Sequence, residues 1–195
     1  MILIDIQNIY FTPGDYLLDE PERAAAQASR LLSGFRELGL PVFHIRHLFG
    51  EDDEPGVEQL RAHHESVAAL PKEPVIDKRH PSAFLETDLR RQLENMGVQR
   101  LVVAGMMSHM CVDTTVRAVQ DFGYDVLLVD DACTTKPLQT RMGLIGAAVV
   151  HEVFMASLDG TFASVLKTDV IVAPNPQTTG ALGAALFAYE AAQKK

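Results

Sequence analysis

The chain has 195 residues, enough for one large α/β domain with a buried core. Hydrophobic residues make up 47% and charged residues 22%, which reads as soluble and globular. With 17 Lys+Arg against 26 Asp+Glu the net charge is −9, and the longest basic run is Lys78-Arg79-His80, so nucleic acid and an anionic membrane surface are excluded as main partners.

Residues 1–4 read as a buried strand ended by Asp5. They carry no basic region and are too short for a signal peptide. Asp19, with Glu22 three residues on, has the form of a capped helix start. Ala24, Ala28, Leu31, Leu32, Phe35 and Leu38 then recur at helical spacing, and Gly39 stops the helix. Residues 41–46 form the second strand. Residues 48–72 hold Pro55, Gly56 and Pro71 and read as a long excursion with one short helix near 58–68. Its acidic group at 51–54 either lids the site or is solvated, and its charges, like His63 and His64, read as solvated. Val75 and Ile76 make a short strand ending at Asp77 and Lys78.

A helix then runs from Thr87 or Asp88 to about Met96, and Gly97 closes it. Leu101-Val102-Val103-Ala104 is the most strand-like run, broken by Gly105. The next helix carries Val112, Val116, Val119 and Phe122 on one face. Residues 124–129 form a strand ended by Asp130 and Asp131, residues 139–156 a helix, and 162–166 the last core strand. The tail, about 177–195, reads as peripheral, with a helix from about Leu182. No internal repeat or linker stands out, so residues 1–195 are expected to form a single domain. No apolar run is long enough to span a membrane. Two cysteines, Cys111 and Cys133, make no disulfide framework, and a cytoplasmic location is expected.

Repeated strand-helix-strand units predict a parallel sheet with helices on both faces. Ligands in such folds bind beyond the carboxyl ends of the strands. Asp5, Arg46, Lys78, the 105–111 segment and Asp130 all follow strand ends and are expected to share one rim.

Cys111 carries the strongest local signal on that rim. It sits where a strand turns into a helix, and a thiol at a helix N-terminus is expected to favour its thiolate. Unpaired N–H groups in the turn are placed to hold an oxyanion. Taken alone, a free cysteine is more often a packing residue. Asp5 gives the thiol a base, and Lys78 an ammonium that stabilises both charges.

These residues carry a family resemblance. Leu3-Ile4-Asp5-Ile6-Gln7-Asn8 resembles the first-strand signature of the isochorismatase-like cysteine hydrolases. Lys78 with Ser82-Ala83-Phe84 and Thr87-Asp88-Leu89 resembles their lysine segment, and residues 104–112 with Thr115, Arg117 and Ala118 resemble their nucleophile segment. Asp130, Ala132 and Cys133 resemble the stretch that follows. The resemblance spans about residues 1–170 in order. It implies a three-layer α/β/α Rossmann-like fold with a six-stranded parallel sheet. It also implies Asp5, Lys78 and Cys111 as catalytic triad, and a cis peptide between Met106 and Met107. The oxyanion would be held by the N–H groups of Met107 and Cys111.

Cys111 points to C–N hydrolysis of a small amide-type molecule, since true isochorismatases, which cleave a vinyl ether, resemble this chain but lack the cysteine. Nicotinamidases of the superfamily carry an Asp-x-His metal motif after the second strand. The segment here reads Ile45-Arg46-His47, and neither metal nor cofactor is expected. His44 and His47, three apart on a strand, face opposite sides. Tyr10, Phe11, Arg46, His47, Phe84 and His109 are the candidate substrate-binding residues. Arg46 or Arg79 would meet an anionic substrate. The alternatives are ester or vinyl-ether hydrolysis at the same site, a catalytically silent binding protein, and a phospho-acceptor module, which would need more acids at the first strand than Asp5. Relatives commonly form dimers or tetramers, so a homodimer or homotetramer is expected.

Overall fold

In the computed structural model, residues 1–172 other than Asp15 and Asp53 are described. The strands among them are β1 (Ile2–Ile4), β2 (Phe43–His47), β3 (Val75–Lys78), β4 (Arg100–Met106), β5 (Asp125–Thr134), β6 (Leu138–Thr140), β7 (Gly143–Ile145) and β8 (Ser164–Leu166). The helices are α1 (Pro21–Glu37), α2 (Val57–Arg61), α3 (Leu89–Asn95), α4 (Asp113–Asp121), α5 (Ala147–Leu158) and α6 (Thr168–Ile171). Six strands form one sheet in the order β3-β2-β1-β4-β5-β8, every pair parallel.

Side chains alternate across this sheet and build two cores. Leu3, Val102, Ala104, Leu127 and Val129 face α1, against Ala24, Ala28, Leu31, Leu32 and Phe35. Ile2, Ile4, Leu101, Val103 and Leu128 face the other side, against Leu89 and Leu93 of α3, Val116 and Val119 of α4, and Met155 and Leu158 of α5. Both faces are covered, which is why the strands read as continuous apolar runs. This is the three-layer α/β/α fold with the six-stranded parallel sheet.

The chain winds outward from β1 in one direction and from β4 in the other, so the crevice between their carboxyl ends is the switch point of the sheet. Gly105 is what allows these strands to lie so close. It does not break β4, as its sequence suggests, but continues it at φ 144°. A Cβ there would lie 2.1 Å from the Ile4 carbonyl oxygen. Gly105→Ala should therefore fail to accumulate as folded protein, or unfold several degrees lower by circular dichroism. An alanine variant melting with the native protein would disprove the close-contact account.

Other boundaries moved for local reasons. The first helix is capped at Glu20, in the left-handed region at φ 43° and with no side-chain cap bond, rather than at Asp19. Leu38, expected on its buried stripe, is 47% exposed. The 48–72 excursion holds α2 and a separate 3-10 turn at Glu65–Val67 in place of one helix. Nor are its charges simply solvated: buried Arg61 binds Asp52, Glu58 and two main-chain carbonyls. His63 Nε2 lies 3.0 Å from the Ile45 carbonyl, and His64 stacks on Phe11.

β5 runs on through Asp130 and Asp131 to Thr134. Its register steps from Leu128 opposite Val103 to Cys133 opposite Gly105, so five residues of β5 match two of β4. The helix expected over 139–156 begins only at Ala147, because 138–145 form a hairpin closed by Thr140 Oγ1 on the Gly143 carbonyl. The tail helix expected from Leu182 lies outside the described residues. No helix among the described residues is long and apolar enough to cross a membrane.

Candidate active site

Three strand ends bring the central groups together. Asp5 leaves β1 at φ 49°, a left-handed conformation uncommon for a non-glycine residue, and its carboxylate is fully buried. Lys78 is the last residue of β3, and its ammonium is also buried. Cys111 lies in the π-helical turn Ser108–Val112 that follows β4. The peptide between Met106 and Met107 is cis.

Lys78 is the hub. Its Nζ is 2.7 Å from Asp5 Oδ2 and 3.3 Å from Cys111 Sγ. It also lies 3.0 Å from His47 Nδ1 and donates to the His80 carbonyl at 3.1 Å. An ammonium has three protons, so these four groups share them. His47 Nδ1 is 3.9 Å from both Asp5 Oδ2 and Cys111 Sγ. Burial and then the charge of Lys78 push His47 down to about 4, so at neutral pH its ring is uncharged.

The electrostatic balance reverses one expectation. Burial, followed by the negative charge of Asp5, pushes the Cys111 thiol up to about 12 and outweighs Lys78. The thiol sits inside a π-turn against a carboxylate, not at an open helix end, so the free site stores it protonated. Asp5 is itself raised, burial outweighing the opposing pull of Lys78. Iodoacetamide should accordingly alkylate Cys111 slowly at pH 7, the rate climbing about tenfold per pH unit to pH 10. Mass spectrometry of the Cys111 peptide follows this, and a rate already flat above pH 7 would mean a stored thiolate.

Among the described residues, Asp5, His47 and Cys111 are also the set whose ligand atoms, within 4.8 Å of one another, have the chemistry to hold a soft divalent metal. The ammonium of Lys78 stands among them and supplies the positive charge a metal would bring. His44 does not join: it is buried and lies 3.0 Å from Glu73.

The remaining candidate residues divide. Tyr10 is buried, and its hydroxyl is raised by burial and then by the charges of Asp5 and Cys111. Phe11 stacks on His64 at 3.9 Å. Arg46 is turned to other work, held by both oxygens of Asp77 at 2.6 and 2.8 Å. Arg79 is likewise engaged by Asp52. Both guanidinium groups are thus ion-paired in the free protein. Phe84 packs edge-on against Phe122, and His109 bonds Thr135 and packs on Phe154.

One positioning residue was not singled out from sequence. Buried Gln7 accepts from the His47 N–H at 2.8 Å and donates to the carbonyls of His47 at 3.0 Å and Arg61 at 2.7 Å. It ties the ends of β1 and β2 to the excursion. A glutamine two residues beyond Asp5 at the end of the first strand, between Ile6 and Asn8, was the available signal.

Residues 1–160 match the isochorismatase domain. The chain belongs to the isochorismatase family. It is 45% identical to the uncharacterized isochorismatase family protein YddQ of Bacillus subtilis over 179 residues, covering 88% of this chain and 97% of that one. An isochorismatase structure from Pseudomonas putida superposes with a TM-score of 0.81 at 38% identity, covering 86% of each chain. A streptothricin hydrolase of Streptomyces noursei is 31% identical over 137 residues, 69% of this chain and 49% of that protein. Within this isochorismatase-family chain, all the groups around Lys78 fall inside the matched segment.

Proposed function

We propose that this chain is a cysteine hydrolase that cleaves a C–N bond of a small amide-type substrate through a thioester on Cys111. The observation that carries the reading is the buried cluster in which Lys78 touches both Asp5 and Cys111. A neutral thiol beside a raised carboxylate is a nucleophile paired with its base.

Cys111 Sγ attacks the carbonyl carbon as its proton passes to Asp5. The C–S bond forms, and the carbonyl oxygen becomes an oxyanion, held by the N–H groups of Met107 and Cys111. Such a donor contributes about 3–4 kcal/mol to the transition state. Asp5 then gives its proton to the leaving nitrogen, the C–N bond breaks, and an amine or ammonia departs. Water enters, Asp5 takes one of its protons, and the remaining hydroxide adds to the thioester carbonyl. The C–S bond breaks, the acid leaves, and the proton returns to the thiol. Lys78 keeps its charge throughout, since the negative charge only moves among the groups around it.

Streptothricin, small amides, carbamoyl compounds and ureides form the substrate panel, with ammonia or amine release as the readout. Release from a member of the panel supports the amidohydrolase reading. Release of alcohol from esters, or cleavage of vinyl ethers, with no C–N turnover would move the function to C–O hydrolysis. A folded protein inert to all of them would be a silent binding member of the fold.

A further inference from the structure

A second chain of polar groups ends on the nucleophile's turn. Ser108 is completely buried, and its hydroxyl lies 2.7 Å from His151 Nδ1. On the other side of the ring, His151 Nε2 lies 2.6 Å from Asp130 Oδ1. The second oxygen of Asp130 pairs with the ammonium of Lys167. The four groups come from four places: the turn after β4, α5, the overrun of β5, and the start of α6. The irregular register of β5 is what sets Asp130 there, while its neighbour Asp131 binds Thr168.

Nε2 faces a carboxylate and therefore carries a proton; with the ring in its neutral form, Nδ1 accepts and the Ser108 hydroxyl donates to it. Asp130 stays ionised, pushed down to about 2 by its bonds to His151 and Lys167. A serine, a histidine and an aspartate in line have the composition of a hydrolytic relay. Ser108 is fully buried, however, so the relay has no substrate to act on. What it can act on is the main chain. Ser108 directly follows Met107 and lies three residues before Cys111, between the two N–H groups assigned to the oxyanion.

We infer that His151 is a positioning residue: anchored by Asp130 and Lys167, it clamps Ser108 and so holds the N–H groups of Met107 and Cys111 in the geometry that binds the oxyanion. The inference rests on the thioester reading above. It differs from a general packing role because only reactions that pass through an oxyanion should feel it.

Two reagents separate these roles. Acylation of Cys111 by p-nitrophenyl acetate forms an oxyanion, seen as a burst of p-nitrophenol. Alkylation by iodoacetamide forms none. In His151→Leu, the burst rate constant should fall by about ten- to a hundredfold, with alkylation changed less than about threefold. In His151→Asn, whose side-chain oxygen can take the place of Nδ1 toward Ser108, the burst should return to within about threefold of native. A leucine variant that acylates at the native rate would overturn the inference, as would equal slowing of both reactions. If the leucine variant does not fold, Ser108→Ala decides in its place: it removes the clamped hydroxyl and should show the same selective loss of the burst, and a native-rate burst or equal slowing of both reactions there would overturn the inference. A native protein that is alkylated but releases p-nitrophenol no faster than Cys111→Ala would overturn the thioester reading itself, and the inference with it.

Discussion

Cys111→Ser is expected to fold as the native protein and to lose at least about 10³-fold in turnover, or about 4 kcal/mol of transition-state stabilisation. Serine is close to isosteric and can keep the Lys78 contact, so the cluster survives. What changes is acidity. A serine hydroxyl is a far weaker acid than even a thiol raised to about 12, and Asp5 cannot take its proton. The measurement is the p-nitrophenol burst beside steady-state release from whichever panel compound is turned over, with urea denaturation to verify the fold. Native-like turnover in the serine variant would mean that Asp5 activates water directly and no thioester forms.

Lys78→Met should be the most destabilising change in the site. Methionine fills similar space but leaves the buried Asp5 carboxylate without its cation, and breaking a buried pair costs about 3–5 kcal/mol. The loss should depend on pH in a definite direction. Burial raises Asp5 in the folded state, and without Lys78 only the bond with Cys111 still opposes that rise. The folded variant then binds a proton more tightly than the unfolded chain, whose aspartates titrate near ~3.9. Its stability is greatest below that value and falls as pH rises toward the folded-state value. The urea midpoint should therefore be higher at pH 5 than at pH 8. Adding Asp5→Asn should restore most of the stability while leaving the protein inactive. A single variant as stable as native at pH 8 would show that the pair carries no such charge.

The fold and the heart of the site were legible because their signals are local. Apolar runs ending in Asp5, Lys78 and the 105–111 segment mark strand ends, and parallel strands collect their ends on one edge. His47 was legible as a rim residue, but its place against Lys78 depends on the pairing of β2 with β3. What escaped was nonlocal. Ser108 and His151 are 43 residues apart, and each taken alone is an unremarked polar residue on a helical segment. Asp130 and Asp131 look like a strand terminus because two adjacent carboxylates rarely continue a sheet. Here each finds a cation or a donor on a neighbouring element, and the strand goes on. The charge state of Cys111 was misjudged because a helix-end argument weighs the dipole alone, while burial and a facing carboxylate act in the opposite direction.

The contact between Gly105 and the Ile4 carbonyl has a further consequence. Side chains can change rotamer to absorb a substitution, but two main chains in contact cannot. The separation of base and nucleophile is thus set by the framework of the sheet and not by the groups that carry out the chemistry. Residues 48–72 add no strand to that framework, so the spacing of the reacting pair is not carried by their strand pairing.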